Sequence, residues 1–258
     1  MKEWLYLSLI NVILYSGYVI LSKYISNEID YFSNLTYVSI ISFIFVFILN
    51  QILKNKIVFD KISFLLGIWS GIIYFLMNKS IALVNNPGLI AAIFRFKIVV
   101  ASIISYFIYG SRLSIIMIIL MCILIGGLFL IAFDKNIIKH NNSINKNIIN
   151  KIDSIKNNIN IESYKIEKYM KTKVPNHLWV ILSISASIFA SIGILVMKYI
   201  NIHSKCNLVQ VMLNLLCGIV LFSIVNELIE TKSLHIITKH KLSSIIYIYI
   251  FILAIIFP

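Results

Sequence analysis

Two cations stand inside an apolar run long enough to cross a bilayer. The stretch Asn85–Ser114, NNPGLIAAIFRFKIVVASIISYFIYGSRLS, opens on an Asn-Asn-Pro-Gly breaker and closes at Gly110-Ser111-Arg112. Between them lies an apolar segment of about 20 residues, the length of a spanning helix. Arg95 and Lys97 lie in its interior, where insertion costs about 2.5–3.5 kcal/mol per charge. Something must compensate for them, which makes this span the first candidate for a working site. On an ideal helix turning about 100° per residue, Arg95 shares a small, polar face with Gly88, Ala91, Ala92, Val99, Ser102, Tyr106 and Tyr109. Lys97 stands about 200° round from it, among Ile90, Ile93, Ile104 and Ile108. The wheel therefore expects the two cations on different faces. Arg95 looks toward a cavity or a packed neighbour, either at a substrate or on backbone carbonyls of another helix, and Lys97 looks toward apolar surroundings.

Other apolar segments carry polar stripes. The first aligns Trp4, Ser8, Asn11, Tyr15, Tyr18 and Ser22; the third aligns Gly67, Ser70, Gly71, Tyr74 and Asn78. Ser183, Ser187 and Ser191 repeat every four residues beside Ala186 and Ala190, and Gln210, Asn214 and Cys217 fall together. Hydroxyls and glycines on membrane helices are mostly packing contacts. Asn11, Tyr15, Tyr74, Gln210 and Asn214 are costlier to bury, so they join Arg95 and Lys97 as the candidate substrate-binding residues. All ten acids lie outside the apolar segments or at their ends, Glu227 and Glu230 included. With no carboxylate or histidine inside a span to relay protons, facilitated transport or exchange is expected over proton coupling. A cationic site without an acid favours an anionic or strongly polar solute. No Gly-rich nucleotide loop, catalytic dyad or metal-ligand cluster appears, so neither an enzyme, a cofactor nor a metal is expected.

The elements that must position these residues are membrane helices. The 258 residues are 60% hydrophobic and only 13% charged, about half the charge of a soluble domain, with mean hydropathy +0.93. The sequence thus specifies an all-α, multi-pass integral membrane protein, a polytopic helix bundle. The net charge of +13 belongs mainly to loop lysines facing headgroups or water, and no nucleic-acid motif accompanies them. Cys122, Cys206 and Cys217 read as apolar packing residues rather than disulfides or ligands. Lys2 and the first apolar run lack a small-x-small cleavage site before Lys23, so that run reads as a retained span.

Apolar windows mark eight segments: Trp4–Ser22, Leu35–Leu53, Ile62–Met77, Gly88–Tyr109, Leu113–Phe133, Leu178–Met197, Leu208–Val225 and Leu242–Phe257. Residues 134–177 hold nine lysines, four acids and ten asparagines. That composition cannot offset its ordering entropy and reads as a mobile linker, with a lysine-rich regulatory or lipid-binding tail as the alternative. The linker separates two copies of one unit. A shift of 175 pairs Trp4 with Trp179, Ser8 with Ser183, Ser16 with Ser191, and Lys23-Tyr24 with Lys198-Tyr199. The first copy (1–133) has five spans, an odd number, so the second (178–258) would insert upside down, with a site at the interface of the halves. The second copy stops after three spans, at Pro258. The expected architecture is thus an inverted five-helix repeat with its second half incomplete.

The segments IALVNNPGLIAAIF and SYFIYGSRLSIIMIILMCILIGGLFLIAF resemble the fourth and fifth spans of the drug/metabolite transporter superfamily, EamA-like branch. The resemblance rests on a small-residue-rich helix, the turn Gly110-Ser111-Arg112-Leu113-Ser114, and Gly126-Gly127 in the next helix. The family's acidic turn residue is replaced here by Ser111-Arg112. Phe96-Lys97-Ile98 is similar to a lysine-containing patch of nucleotide-sugar transporters. The resemblance implies ten helices in two inverted halves, a cytosolic N-terminus, and alternating access for a small polar or anionic metabolite. Lysine and arginine counts in the short loops do not decide the orientation. A second reading is a truncated, non-transporting relative acting as a membrane scaffold. Solute and bilayer are the expected partners, nucleic acid is not, and homodimerisation is left open.

Overall fold

The computed structural model describes residues 2–26, 29–84, 86–133, 178–204, 206–231, 248–252 and 254. Regular structure among the described residues is helical throughout. In chain order the helices are α1 (Lys2–Ser26), α2 (Tyr31–Ile52), α3 (Lys61–Leu83), α4 (Pro87–Phe94), α5 (Phe96–Tyr109), α6 (Ile115–Phe133), α7 (Leu178–His203) and α8 (Leu208–Thr231). Among the described residues, six spans are long and apolar enough to cross a membrane, α4 and α5 counting as one. Of the two remaining expected segments, α6 carries a shorter apolar stretch, Ile115–Leu128. Leu242–Phe257 is described only at 248–252, which is helical, and at 254. The linker 134–177 lies outside the described residues.

Local chemistry sets the helix ends. Asp60 caps α3 by accepting from the Ser63 amide at 3.3 Å and from the Ser63 hydroxyl. Asn86 caps α4 through the Gly88 amide at 3.0 Å, with Pro87 in the first turn, where its missing N–H costs nothing. Gly110 ends α5 in the left-handed region, at φ 59°, which a residue without Cβ adopts freely. Several helices outrun the apolar windows. α3 continues through Asn78-Lys79-Ser80 because Asn78 and Ser80 are buried and bonded to neighbours.

α3 is the centre of the bundle. It packs against α7 and α8, and α8 also packs on α2. The α3–α8 contact is a close backbone approach running parallel. A Cβ on Gly67 would stand 2.1 Å from the Leu215 carbonyl oxygen, and one on Gly218 would stand 2.3 Å from that of Phe64. Further along, a Cβ on Gly71 would stand 2.6 Å from the Phe222 ring. Small residues that let backbones meet are the usual basis of helix association in lipid.

Many polar side chains are buried alongside the apolar core, and many large aliphatic side chains face outward. Ser39, Asn50, Ser80, Ser183 and Glu227 are fully buried, whereas Ile13, Ile108, Ile115 and Ile229 are well exposed. This is the arrangement of a protein solvated by lipid. The cysteines are free thiols, and Cys122 and Cys217 are exposed rather than packed, contrary to the sequence expectation, because they fall on outward faces of α6 and α8. Gly67→Ala is expected to lower stability by about 1–3 kcal/mol, the range for inserting an atom into a packed contact. Gly17→Ala, with open space around the added methyl, should stay near wild type. Thermal melting of the two purified variants in detergent measures the difference.

Candidate functional site

The fourth span is not one helix. It breaks at Arg95, which ends α4 and begins α5. There the Arg95 amide bonds Ala92 O at 3.1 Å and the Ile98 amide bonds Arg95 O at 3.0 Å. Bonds of three-residue reach wind the chain more tightly than an α-helix, so the 100° wheel does not carry across residue 95. This corrects the expectation that the two cations face different ways. The Arg95 guanidinium lies 4.5 Å from the centre of the Tyr15 ring, and the Lys97 ammonium lies 5.7 Å from that same centre. Lys97 also stands 4.3 Å from the centre of the Phe94 ring. The surroundings differ from the wheel in one respect. Ile90 and Ile93, grouped with Lys97, are buried together with Phe94, while Gly88, grouped with Arg95 on the polar face, is exposed.

α7 holds the break in place. The Ser191 hydroxyl lies 2.9 Å from Lys97 O and 2.8 Å from Ser187 O, shared between the two. The Ser187 hydroxyl lies 3.2 Å from Ile93 O and 2.7 Å from Ser183 O, dividing one proton between them. One turn earlier, Ser183 and Ser80 approach to 2.5 Å, and Ser80 also donates to Trp179 O at 2.8 Å, joining α3 to α7. The Trp69 indole N–H donates to Phe189 O at 2.9 Å in the same interface. The serine repeat thus bonds backbone on both flanks of the broken span.

An aromatic column supports the cations from below. Tyr15 stacks on Phe94 with centroids 5.8 Å apart and on Tyr18 at 6.3 Å, and Tyr18 meets Tyr74 edge-on at 6.1 Å. Tyr15 and Tyr18 are three residues apart on α1, the spacing that puts two side chains on one helix face. The Tyr15 hydroxyl reaches Met77 Sδ at 3.3 Å, and the Tyr18 hydroxyl donates to Asn78 Oδ1 at 3.2 Å. Both cations are half-buried. Among the described residues their recorded contacts are with aromatic rings, not carboxylates. Each ring contact is worth about 0.5–2 kcal/mol, and two like charges over one ring repel. An anion placed between them would relieve that repulsion, with the amino end of α5 adding partial positive charge.

The structure therefore gathers Arg95, Lys97, Tyr15 and, through Tyr18, Tyr74. The other three candidates sit elsewhere. Asn11 is exposed on α1. Gln210 donates to Lys56 O at 2.5 Å, and Asn214 donates to Val58 O at 2.8 Å while accepting from the Asp60 amide at 3.3 Å. These two amides secure the backbone of the chain entering α3. Phe94, Tyr18 and Asn78 belong to the cluster although sequence reasoning did not put them in the candidate set. Tyr18 and Asn78 were on the stripes, but Phe94 had no polar atom to draw notice.

A second correction concerns carboxylates. The apolar window ends at Val225, yet α8 runs on to Thr231 and the candidate span to Ile229. Glu227 lies inside that span and is fully buried, accepting from the Ser33 hydroxyl at 3.2 Å. The premise that no acid sits in a span does not hold. For the aromatic site, Tyr15→Leu is expected to lose about 1–2 kcal/mol of stability as two cations lose their ring. Tyr15→Phe keeps the ring and should lose far less. Chemical unfolding followed by tryptophan fluorescence separates the two.

Residues 2–133, just over half of the chain, match the family model of EamA-like transporters. No curated protein and no solved structure matches the chain. With six spans among the described residues long and apolar enough to cross a membrane and that match, the protein is an integral, multi-pass membrane transporter of the drug/metabolite type, and the chain belongs to the EamA-like transporter family.

Proposed function

We propose that the protein carries a small anionic or strongly polar metabolite across its membrane by alternating access, with Arg95 and Lys97 gripping the anionic group over the Tyr15–Phe94 floor. The observation that carries this reading is the convergence of both cations on one aromatic ring, with no carboxylate contact recorded among the described residues. Two features support it. Discontinuous membrane helices near the middle of a span are where carriers place their substrates, amino ends toward anions, and α5 starts at such a break. The break is also bonded to α7 through Ser187 and Ser191. Any shift of the 178–258 half against the 1–133 half therefore moves the backbone that bears the cations.

The test is a thermal-shift screen of nucleotide sugars, sugar phosphates, nucleosides and amino acids, followed by flux in proteoliposomes. Solutes bearing phosphate or carboxylate groups are expected to raise the melting temperature by mass action on the folded state. Loss of a charge-assisted contact of about 1.5–3 kcal/mol predicts binding roughly 10–150-fold weaker in Arg95→Ala. Unchanged binding and flux in Arg95→Ala for a solute that the wild type carries would remove Arg95 from the site. A panel in which only uncharged solutes stabilise the protein would overturn the anion reading.

A further inference from the structure

The interface between α2 and α8 is a polar seam. On α2, Ser33, Thr36 and Ser39 are all buried and recur every three residues. Facing them on α8 are Ser223 and, one turn on, Glu227. The Thr36 hydroxyl lies 3.2 Å from Phe32 O and 3.4 Å from Ser223 O. Ser39 and Ser223 share a hydroxyl contact at 3.1 Å, and Ser33 donates to Glu227 Oε1 at 3.2 Å. A carboxylate with no exposed surface, inside a span, is costly in lipid, and such residues mark ion and proton pathways. Two things distinguish this one from a packing contact. It is placed where the family-matched part of the chain meets the part beyond it. It also lies within one turn of Thr231, the last residue of α8, and its partner Ser33 stands three residues from exposed Asp30.

We propose that Glu227 is a proton-binding site whose occupancy is coupled to the packing of α2 against α8. Proton uptake from water forms one O–H bond on the carboxyl and removes its charge from the seam. Ionised, the carboxyl accepts from Ser33; protonated, it donates, and the Ser33 hydroxyl turns to another acceptor. The seam then has two hydrogen-bond arrangements of different charge. Other titratable groups on the elements packed against α8 are Tyr31 and Tyr37 on α2, with Asp30 at its start, and Lys61, Tyr74 and Lys79 on α3. Gly71 meets Phe222 in a parallel contact, which brings Lys79 to the same end of the bundle as Glu227. Its ammonium lies 5.7 Å from the Phe75 ring centre. α8 itself carries Glu230.

The experiment is a pH jump applied to proteoliposomes of the full chain on a solid-supported membrane, without substrate. The wild type is expected to give a transient charge displacement with a single-group pH dependence. Glu227→Gln should lose the transient at least tenfold, whereas Asp30→Asn and Glu230→Gln should retain it. Ser33→Ala should keep the transient but displace its midpoint by about one pH unit, the worth of a hydrogen bond to a charged group. A transient that survives in Glu227→Gln, or that the wild type lacks, overturns the proposal. Should Glu227→Gln fail to reconstitute, an unmoved midpoint in Ser33→Ala overturns it. Arg95 and its solute play no part in this measurement, so failure here and failure of the anion site are read separately.

Discussion

Backbone groups released inside a bilayer must find partners within the protein, because lipid supplies none. On both sides of the turn at Arg95, serine hydroxyls of α7 reach backbone carbonyls, those of Ile93 and Lys97. The rest of the site follows. Around that tighter turn the long side chains of Arg95 and Lys97 both reach the ring of Tyr15. Were α7 to present alanine at those positions, the two carbonyls would lose these partners. The serine repeat and the misplaced cations, which look unrelated along the chain, are thus one device.

The same economy of partners runs through the bundle. α3 reaches α8 through glycines too close to admit a methyl group and reaches α7 through the Ser80–Ser183 pair and the Trp69 indole. α2 reaches α8 through a line of hydroxyls ending at Glu227. Dispersion between fitted helices and short hydrogen bonds hold such an assembly, since burial of apolar surface drives little association where the solvent is itself apolar. The exposed aliphatic faces of α1 and α6 are the complement of this interior, and lipid solvates them.

Much of the candidate site was legible as composition and little as geometry. Tyr15, Tyr74, Arg95 and Lys97 stood out because polar atoms are expensive in a span, and these four do lie in or beside one cluster. Gln210 and Asn214 stood out for the same reason, but they satisfy the backbone of residues 56–60. An expensive side chain signals that a partner exists and does not say which. Phe94 and Met77 carried no such signal, since an aromatic or a thioether in an apolar run is ordinary. Glu227 was misplaced because hydropathy windows stop at the first polar pair, Asn226-Glu227, whereas the helix continues wherever neighbouring helices offer hydroxyls.

The sequence by itself determined the class of this protein: its helices, most of their limits, its multi-pass character and the family resemblance that the match over residues 2–133 established. Those properties depend on local quantities, namely apolar length, the Asn-Pro-Gly breaker and the charge between spans, and local quantities can be read along a chain. Tertiary structure alone decided that Arg95 and Lys97 share a ring, that three serines bond across the α7 contacts, and that Glu227 is interior. Each depends on a single backbone deviation or on which helix lies opposite. A wheel of ideal pitch cannot contain either, because the tighter turn at residue 95 is held by residues about 90 positions away.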